Sequence, residues 1–132
     1  MFASINWLAV AVAALATFVI GAPWYSPVMF KKLWQREMGM EQARPGHPLR
    51  VFGLAYVFSF VACACLAVLL GPEGDARSGL VLGASVGACF VATSFGINYQ
   101  FANRSFLALF IDGGYHFLQF AAFGLVLGAW PH

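Results

Sequence analysis

Four stretches of this chain, Ile5 to Ala22, Leu49 to Leu70, Gly79 to Phe101 and Phe106 to Trp130, run almost without charge. Each is long enough to cross a hydrocarbon core, which takes about 20 apolar residues as a helix. Inside a bilayer every backbone N–H and C=O must be satisfied within the protein, so stretches of this length are read as helices. The expected fold is therefore an all-α membrane protein with four transmembrane helices, in a single domain over residues 1–132. The surface chemistry agrees. Only 9% of residues are charged and 61% are hydrophobic, whereas a soluble surface carries roughly a quarter to a third charged positions. A soluble enzyme is excluded. A net charge of +2 is too mild for a nucleic-acid partner.

The first segment is read as a span rather than a secretory signal, because no Lys or Arg precedes it and its small residues run into Pro23, Trp24 and Tyr25. Lys31, Lys32, Arg36, Arg44 and Arg50 cluster in and beside the first loop, and Arg104 lies in the third; the second loop offers Arg77 with Glu73 and Asp75. By the positive-inside rule loops 23–48 and 102–105 face the cytoplasm and both termini face outward. A short interfacial helix is expected over about 27–38, capped by Ser26, started by Pro27 and stopped at Gly39. Phe30, Leu33 and Trp34 share one of its faces, and its cations suit anionic lipid.

Small residues recur every four positions: Gly79, Gly83 and Gly87 on the third span, Gly124 and Gly128 on the fourth, and Ala9, Ala13, Thr17 and Gly21 on the first. Such ladders let helix backbones approach closely in lipid, which predicts a compact bundle and allows a homodimer. A faint echo links Ala16-Thr17 and Trp24-Tyr25 on the first span to Ala92-Thr93 and Asn98-Tyr99 on the third. It suggests a duplicated hairpin.

Away from the span ends, the one charged side chain within these segments is Asp112. A carboxylate at membrane depth costs on the order of 2.5–3.5 kcal/mol on insertion scales, so an intramembrane acid is by default a functional candidate. Ser105, Asp112, Tyr115, His116 and Gln119 fall on one helical stripe. Thr17, Gly21 and Trp24 align on the first span, Tyr56, Ser59 and Cys63 on the second, and Ser94 and Asn98 share the face of Gly83 and Gly87 on the third. These alignments predict an interior site built from Trp24, Tyr56, Asn98, Asp112, Tyr115 and His116. The group can serve as a purely structural network that fixes helix register. Equally, Asp112 and His116 can bind a proton, a cation or a small ligand, as such pairs do in transporters.

No metal or cofactor site is expected. Asp112 and His116 at i, i+4 supply two ligands with no third in view. Cys63 and Cys65 lack redox-pair spacing and, with Cys89, read as packing residues. His47 and His132 read as loop residues.

Taken together, Ile5-Asn6-Trp7-Leu8-Ala9-Val10, the GAPWYSP run from Gly21 to Pro27, Phe30-Lys31-Lys32-Leu33-Trp34, Tyr115-His116 and the closing Gly128-Ala129-Trp130 resemble the bacterial membrane proteins grouped as domain of unknown function 1761. The resemblance covers essentially the whole chain and departs at Lys31, where family members often carry glycine. It implies a four-span protein of a bacterial cytoplasmic (inner) membrane and no particular activity. It also marks Trp24, Tyr25, Ser26 and Pro27 as a shared element, adding Tyr25 to the candidates at the inner mouth of the site. The function expected is a non-enzymatic unit that binds or transports a proton-linked small solute. The alternatives are a structural or accessory protein packed with a membrane partner and an enzyme acting on a lipid-soluble substrate.

Overall fold

The computed structural model describes residues 2–131; His132 lies outside them. The described residues form helices and no strand: α1 (Trp7–Ala14), α2 (Ala16–Trp24), α3 (Lys31–Glu37), α4 (Pro48–Leu70), α5 (Ala76–Val86), a π-helical turn (Gly87–Ala92), α6 (Thr93–Phe101) and α7 (Phe106–Ala129), after a short 3-10 turn at Phe2–Ser4. Four helical runs are long and apolar enough to cross a membrane: Trp7–Trp24, Pro48–Leu70, Ala76–Phe101 and Phe106–Ala129. They mark a multi-pass membrane protein.

Each run starts where its sequence supplies a cap. The Asn6 carboxamide accepts from the Ala9 N–H at 3.1 Å, His47 Nδ1 from Leu49 N–H at 3.2 Å with Pro48 in the first turn, and Ser105 Oγ from Ala108 N–H at 3.1 Å. Asp75 and Ser78 form a reciprocal capping box, with bonds of 2.8 and 2.9 Å, so two otherwise orphaned N–H groups are satisfied. The third run accordingly begins at Ala76, three residues before the expected Gly79.

Two runs are interrupted near mid-span. The first breaks at Leu15, whose N–H turns to the Val12 carbonyl at 3.1 Å instead of Ala11. The freed Ala11 carbonyl accepts from the Tyr56 hydroxyl at 2.8 Å, a repair that lipid alone could not make. The third run passes through the π turn, after which Thr93 Oγ1 and Ser94 Oγ return bonds of 2.8 and 2.7 Å to the Cys89 and Phe90 carbonyls.

Helix α7 is the axis of the bundle. Ala108, Ile111 and Phe123 on it are fully buried, and Phe123 and Leu127 join Val10, Ala13 and Ala14 of α1 and Cys63 and Leu66 of α4 in one core. The glycine ladders meet each other inside the chain. A Cβ built on Gly79 would stand 2.0 Å from the Gly124 carbonyl oxygen, one on Gly83 2.0 Å from that of Phe120, and one on Gly128 2.0 Å from that of Asp75. Antiparallel α5 and α7 are thus in backbone contact, which only glycine permits.

The interfacial helix is shorter than expected. Ser26 does not cap it, because its hydroxyl donates to the Pro23 carbonyl at 2.6 Å, and turns carry the chain to Lys31. Its stop falls at Gly39 (φ +68°), where Met40 N–H reaches the Gln35 carbonyl at 2.8 Å and Gly39 N–H that of Arg36 at 3.2 Å, a Schellman closure. The helix is tied to α7 by Ser105 Oγ, which donates to Glu37 Oε1 at 2.7 Å. That bond first, and Arg36 second at 3.2 Å, hold the Glu37 carboxyl below its ordinary range. A depressed folded pKa means the tie is fully present above the ordinary glutamate range and is lost as pH falls through the lowered value. A spin label at Lys32→Cys should therefore gain mobility on acidification through that window, and Ser105→Ala should remove most of the pH dependence. A label equally mobile at neutral and acid pH would disprove the tie.

Candidate functional site

The polar stripe of α7 is used in two separate clusters. In the first, Asp112 is 6% exposed, and both carboxylate oxygens accept from phenols: Oδ1 from the Tyr25 hydroxyl at 2.5 Å and Oδ2 from the Tyr99 hydroxyl. These tyrosines are the ends of the internal echo, one from each of the two spans that run in the same direction. Trp24 braces the same region from beside Tyr25: its indole N–H donates to the Ile111 carbonyl at 2.9 Å, and its ring lies where a Cβ on Gly114 would come within 3.2 Å.

Asn98 is not part of this cluster; it is exposed, and Tyr99 is buried in its stead. The π turn is the reason. One extra residue in the helix rotates everything after it by about 100°, so the face of Gly83 and Gly87 continues through Phe95 and Tyr99 rather than Ser94 and Asn98. Tyr56 is also elsewhere, spent on the Ala11 carbonyl. Tyr99 is absent from the site that helical spacing predicts. The signal that could have found it was its place in the echo with Tyr25.

The second cluster lies one turn further along α7. His116 Nδ1 bonds Gln119 Oε1 at 2.6 Å. Gln119 Nε2 donates to Thr17 Oγ1 at 2.8 Å and to the Tyr115 hydroxyl at 3.3 Å, and Tyr115 donates to the Thr17 carbonyl at 2.7 Å. Thr17 and Ser59 hydroxyls stand 2.6 Å apart, and Ser59 donates to the Ala55 carbonyl at 2.7 Å. Since the Ser59 proton is committed to Ala55, Thr17 is the donor between the two. The chain of bonds runs in one sense, His116 to Gln119 to Thr17 to Ser59. Thr17 and Ser59 had shown only as members of helical alignments; which helix faces bring them together is a tertiary matter.

Over this network lies a pocket of about 370 Å³. Thr17, Ser59, His116 and Gln119 contribute its polar lining, and Phe58 and Phe123 are among its apolar walls. Val91 of the π turn faces it across from α4, and Phe58 is largely exposed, so the pocket communicates with the bilayer side of the bundle. Phe95 stacks on the His116 ring, centroids 4.7 Å apart and planes 17° from parallel, which fixes the imidazole in this position.

The family model described as protein of unknown function (DUF1761) matches residues 8–128. The chain belongs to this family. The DUF1761 match covers nearly all of the four membrane-crossing runs. No curated protein and no solved structure matches the chain. Within this DUF1761 chain the GAPWYSP element has a definite structural use: Gly21 admits the Tyr115 ring, Trp24 and Tyr25 bind the backbone and acid of α7, and Ser26 closes the turn that follows.

Proposed function

We propose that this protein is a non-enzymatic membrane unit that binds a small solute in the pocket above the His116–Gln119–Thr17–Ser59 network and couples binding to a proton at His116. The pocket with its polar floor carries this reading. Water-free bilayer interiors tolerate polar side chains where they pair or line a cavity, and here the paired groups and the cavity coincide. Asp112 serves as the clamp beside the site, joining the two same-direction spans to α7, and Tyr25, Tyr99 and Trp24 belong to that clamp. His116 supplies the pocket with an imidazole, a group that can take up a proton.

The test is solute-driven proton movement in proteoliposomes holding a trapped pH dye, with small alcohols, phenols and amines added singly. Wild-type protein is expected to change the internal pH for at least one class. Ala62→Phe, which fills the pocket, should abolish the response, and His116→Gln should remove its proton component while circular dichroism stays unchanged. Wild-type vesicles indistinguishable from protein-free vesicles would overturn the reading.

The orientation that fits best has the α3 end in the cytoplasm of a bacterial inner membrane and both termini outside. The cations of α3, its flanking loop and Arg104 support it through the positive-inside rule, and anionic lipid is the partner those cations suit. Labelling of a cysteine at Gly46 only after permeabilisation would bear this out. A second reading, an accessory or homodimeric packing role, is favoured by a shallow groove of about 600 Å³ between α6 and α7, lined by Ala92, Gly96, Gly113 and Gly114. Cross-linking between copies through Ile97→Cys in membranes would support it.

A further inference from the structure

The pocket's own hydrogen-bond arithmetic says what kind of ligand it takes. Every donor in its floor is committed. The Gln119 carboxamide sends its two N–H groups to Thr17 and Tyr115, so its oxygen faces His116 Nδ1 and accepts from it at 2.6 Å. His116 is therefore protonated on Nδ1, and its Nε2 is a lone-pair acceptor. The Thr17 hydroxyl proton goes to Ser59, that of Ser59 to the Ala55 carbonyl, and that of Tyr115 to the Thr17 carbonyl. What remains unspent is acceptor capacity, at His116 Nε2 and at the second lone pairs of Ser59 Oγ, Thr17 Oγ1, Gln119 Oε1 and the Tyr115 hydroxyl. Among the described residues the buried side-chain polar atom without a partner is Trp34 Nε1. His116 Nε2, which makes no hydrogen bond there, is thus an accessible atom.

The walls add the second half of the specification. Phe58, Phe120 and Phe123 line the pocket, and the His116 ring, held flat against Phe95, offers a further aromatic surface. Rings of this kind receive another ring by edge or offset stacking. At about 370 Å³ the space is at the small end of ligand sites, which run to roughly 300–1,000 Å³, so it suits a small ring system and not an acyl chain.

We infer that the pocket recognises a small aromatic alcohol of the phenol class, whose hydroxyl donates to His116 Nε2 or Ser59 Oγ and whose ring packs among the phenylalanines. This rests on the solute-binding reading above and names its substrate class. The ligand's O–H remains intact in the bound state, so no bond is made or broken and recognition is by hydrogen bonding alone.

The experiment compares three probes by isothermal titration calorimetry against the full chain in nanodiscs, with the heats of empty nanodiscs subtracted to remove partitioning into lipid. They are 1-naphthol, which donates; 1-methoxynaphthalene, the same ring with the donor methylated; and 1-acetylnaphthalene, an acceptor only. The expected result is that 1-naphthol binds at least about tenfold more tightly than either, the equivalent of one good hydrogen bond. Ser59→Ala and His116→Phe are expected each to shrink that preference, with the apolar part of the affinity retained. Equal affinity for 1-naphthol and 1-methoxynaphthalene would overturn the phenol assignment while leaving a solute pocket in place. A preference for 1-acetylnaphthalene would mean that the Gln119 amide stands the other way round and would also overturn it, as would a 1-naphthol preference untouched by both substitutions. If none of the three binds, the pocket reading falls together with the assignment.

Discussion

Gly124→Ala is expected to destabilise the bundle by about 3 kcal/mol, at the top of the usual range for forcing an extra carbon into a packed core. The reason is local and geometric. A Cβ at Gly124 would lie 1.9 Å from the Gly79 carbonyl oxygen and 2.8 Å from its carbon, and both belong to backbone that can retreat only if α5 and α7 separate. Gly83→Ala, facing the Phe120 carbonyl at 2.0 Å, should behave alike, whereas Gly53→Ala, with nothing within 4 Å, should be neutral or slightly stabilising. Reversible unfolding in mixed micelles measures all three. Oligomeric state should be unchanged in each, because this ladder is consumed within one chain. A stable Gly124→Ala protein that has lost only self-association would show that the ladder joins two copies.

The second large effect is at Asp112. Removing the carboxylate with Asp112→Ala leaves the Tyr25 and Tyr99 hydroxyls without their acceptor, and an orphaned buried polar group costs about 1–3 kcal/mol. The loss should therefore exceed that of Tyr25→Phe or Tyr99→Phe alone. Deleting both sides together, Asp112→Ala with Tyr25→Phe and Tyr99→Phe, should recover much of the stability, since an apolar pair of matching shape leaves nothing unsatisfied. Asn98→Ala, on an exposed position, should fall within about 0.5 kcal/mol of wild type. The same denaturation assay reads this cycle, and the probe affinities of 1-naphthol should survive in the triple variant. An Asp112→Ala protein as stable as wild type but unable to bind would move Asp112 from the clamp into the ligand site.

How far the sequence reached can be followed through single residues. Asp112 stood out because ionisable groups are rare in apolar runs, and Tyr115, His116 and Gln119 followed from it at helical spacing on one element. Trp24 and Tyr25 of the shared WYSP element reach α7. Asn98 failed because periodicity was carried straight through residues 87–92, where the helix takes a π turn. Nothing in Gly87-Ala88-Cys89-Phe90-Val91-Ala92 announces that extra residue, since any apolar helix reads alike whether its bonds span four residues or five. Tyr56 failed for a related reason: its partner is a carbonyl set free by a break at Leu15, and a backbone break leaves no mark on a run of alanine, valine and leucine.

By itself the sequence determined the four crossings, the helix stop at Gly39 and the glycine surfaces, because these depend on hydrophobic length, on a residue free to take a positive φ, and on the absence of a Cβ. Tertiary structure alone decided which faces meet. It turned Tyr99 inward and Asn98 outward, divided the α7 stripe into an acid clamp and a histidine-centred pocket, and gave the hydrogen bonds of that pocket their direction. Those outcomes depend on contacts between residues as far apart in the chain as Thr17 and Gln119, whose relative placement is fixed by close packing of whole helices and by two local irregularities, and a pattern read along one helix at a time contains neither.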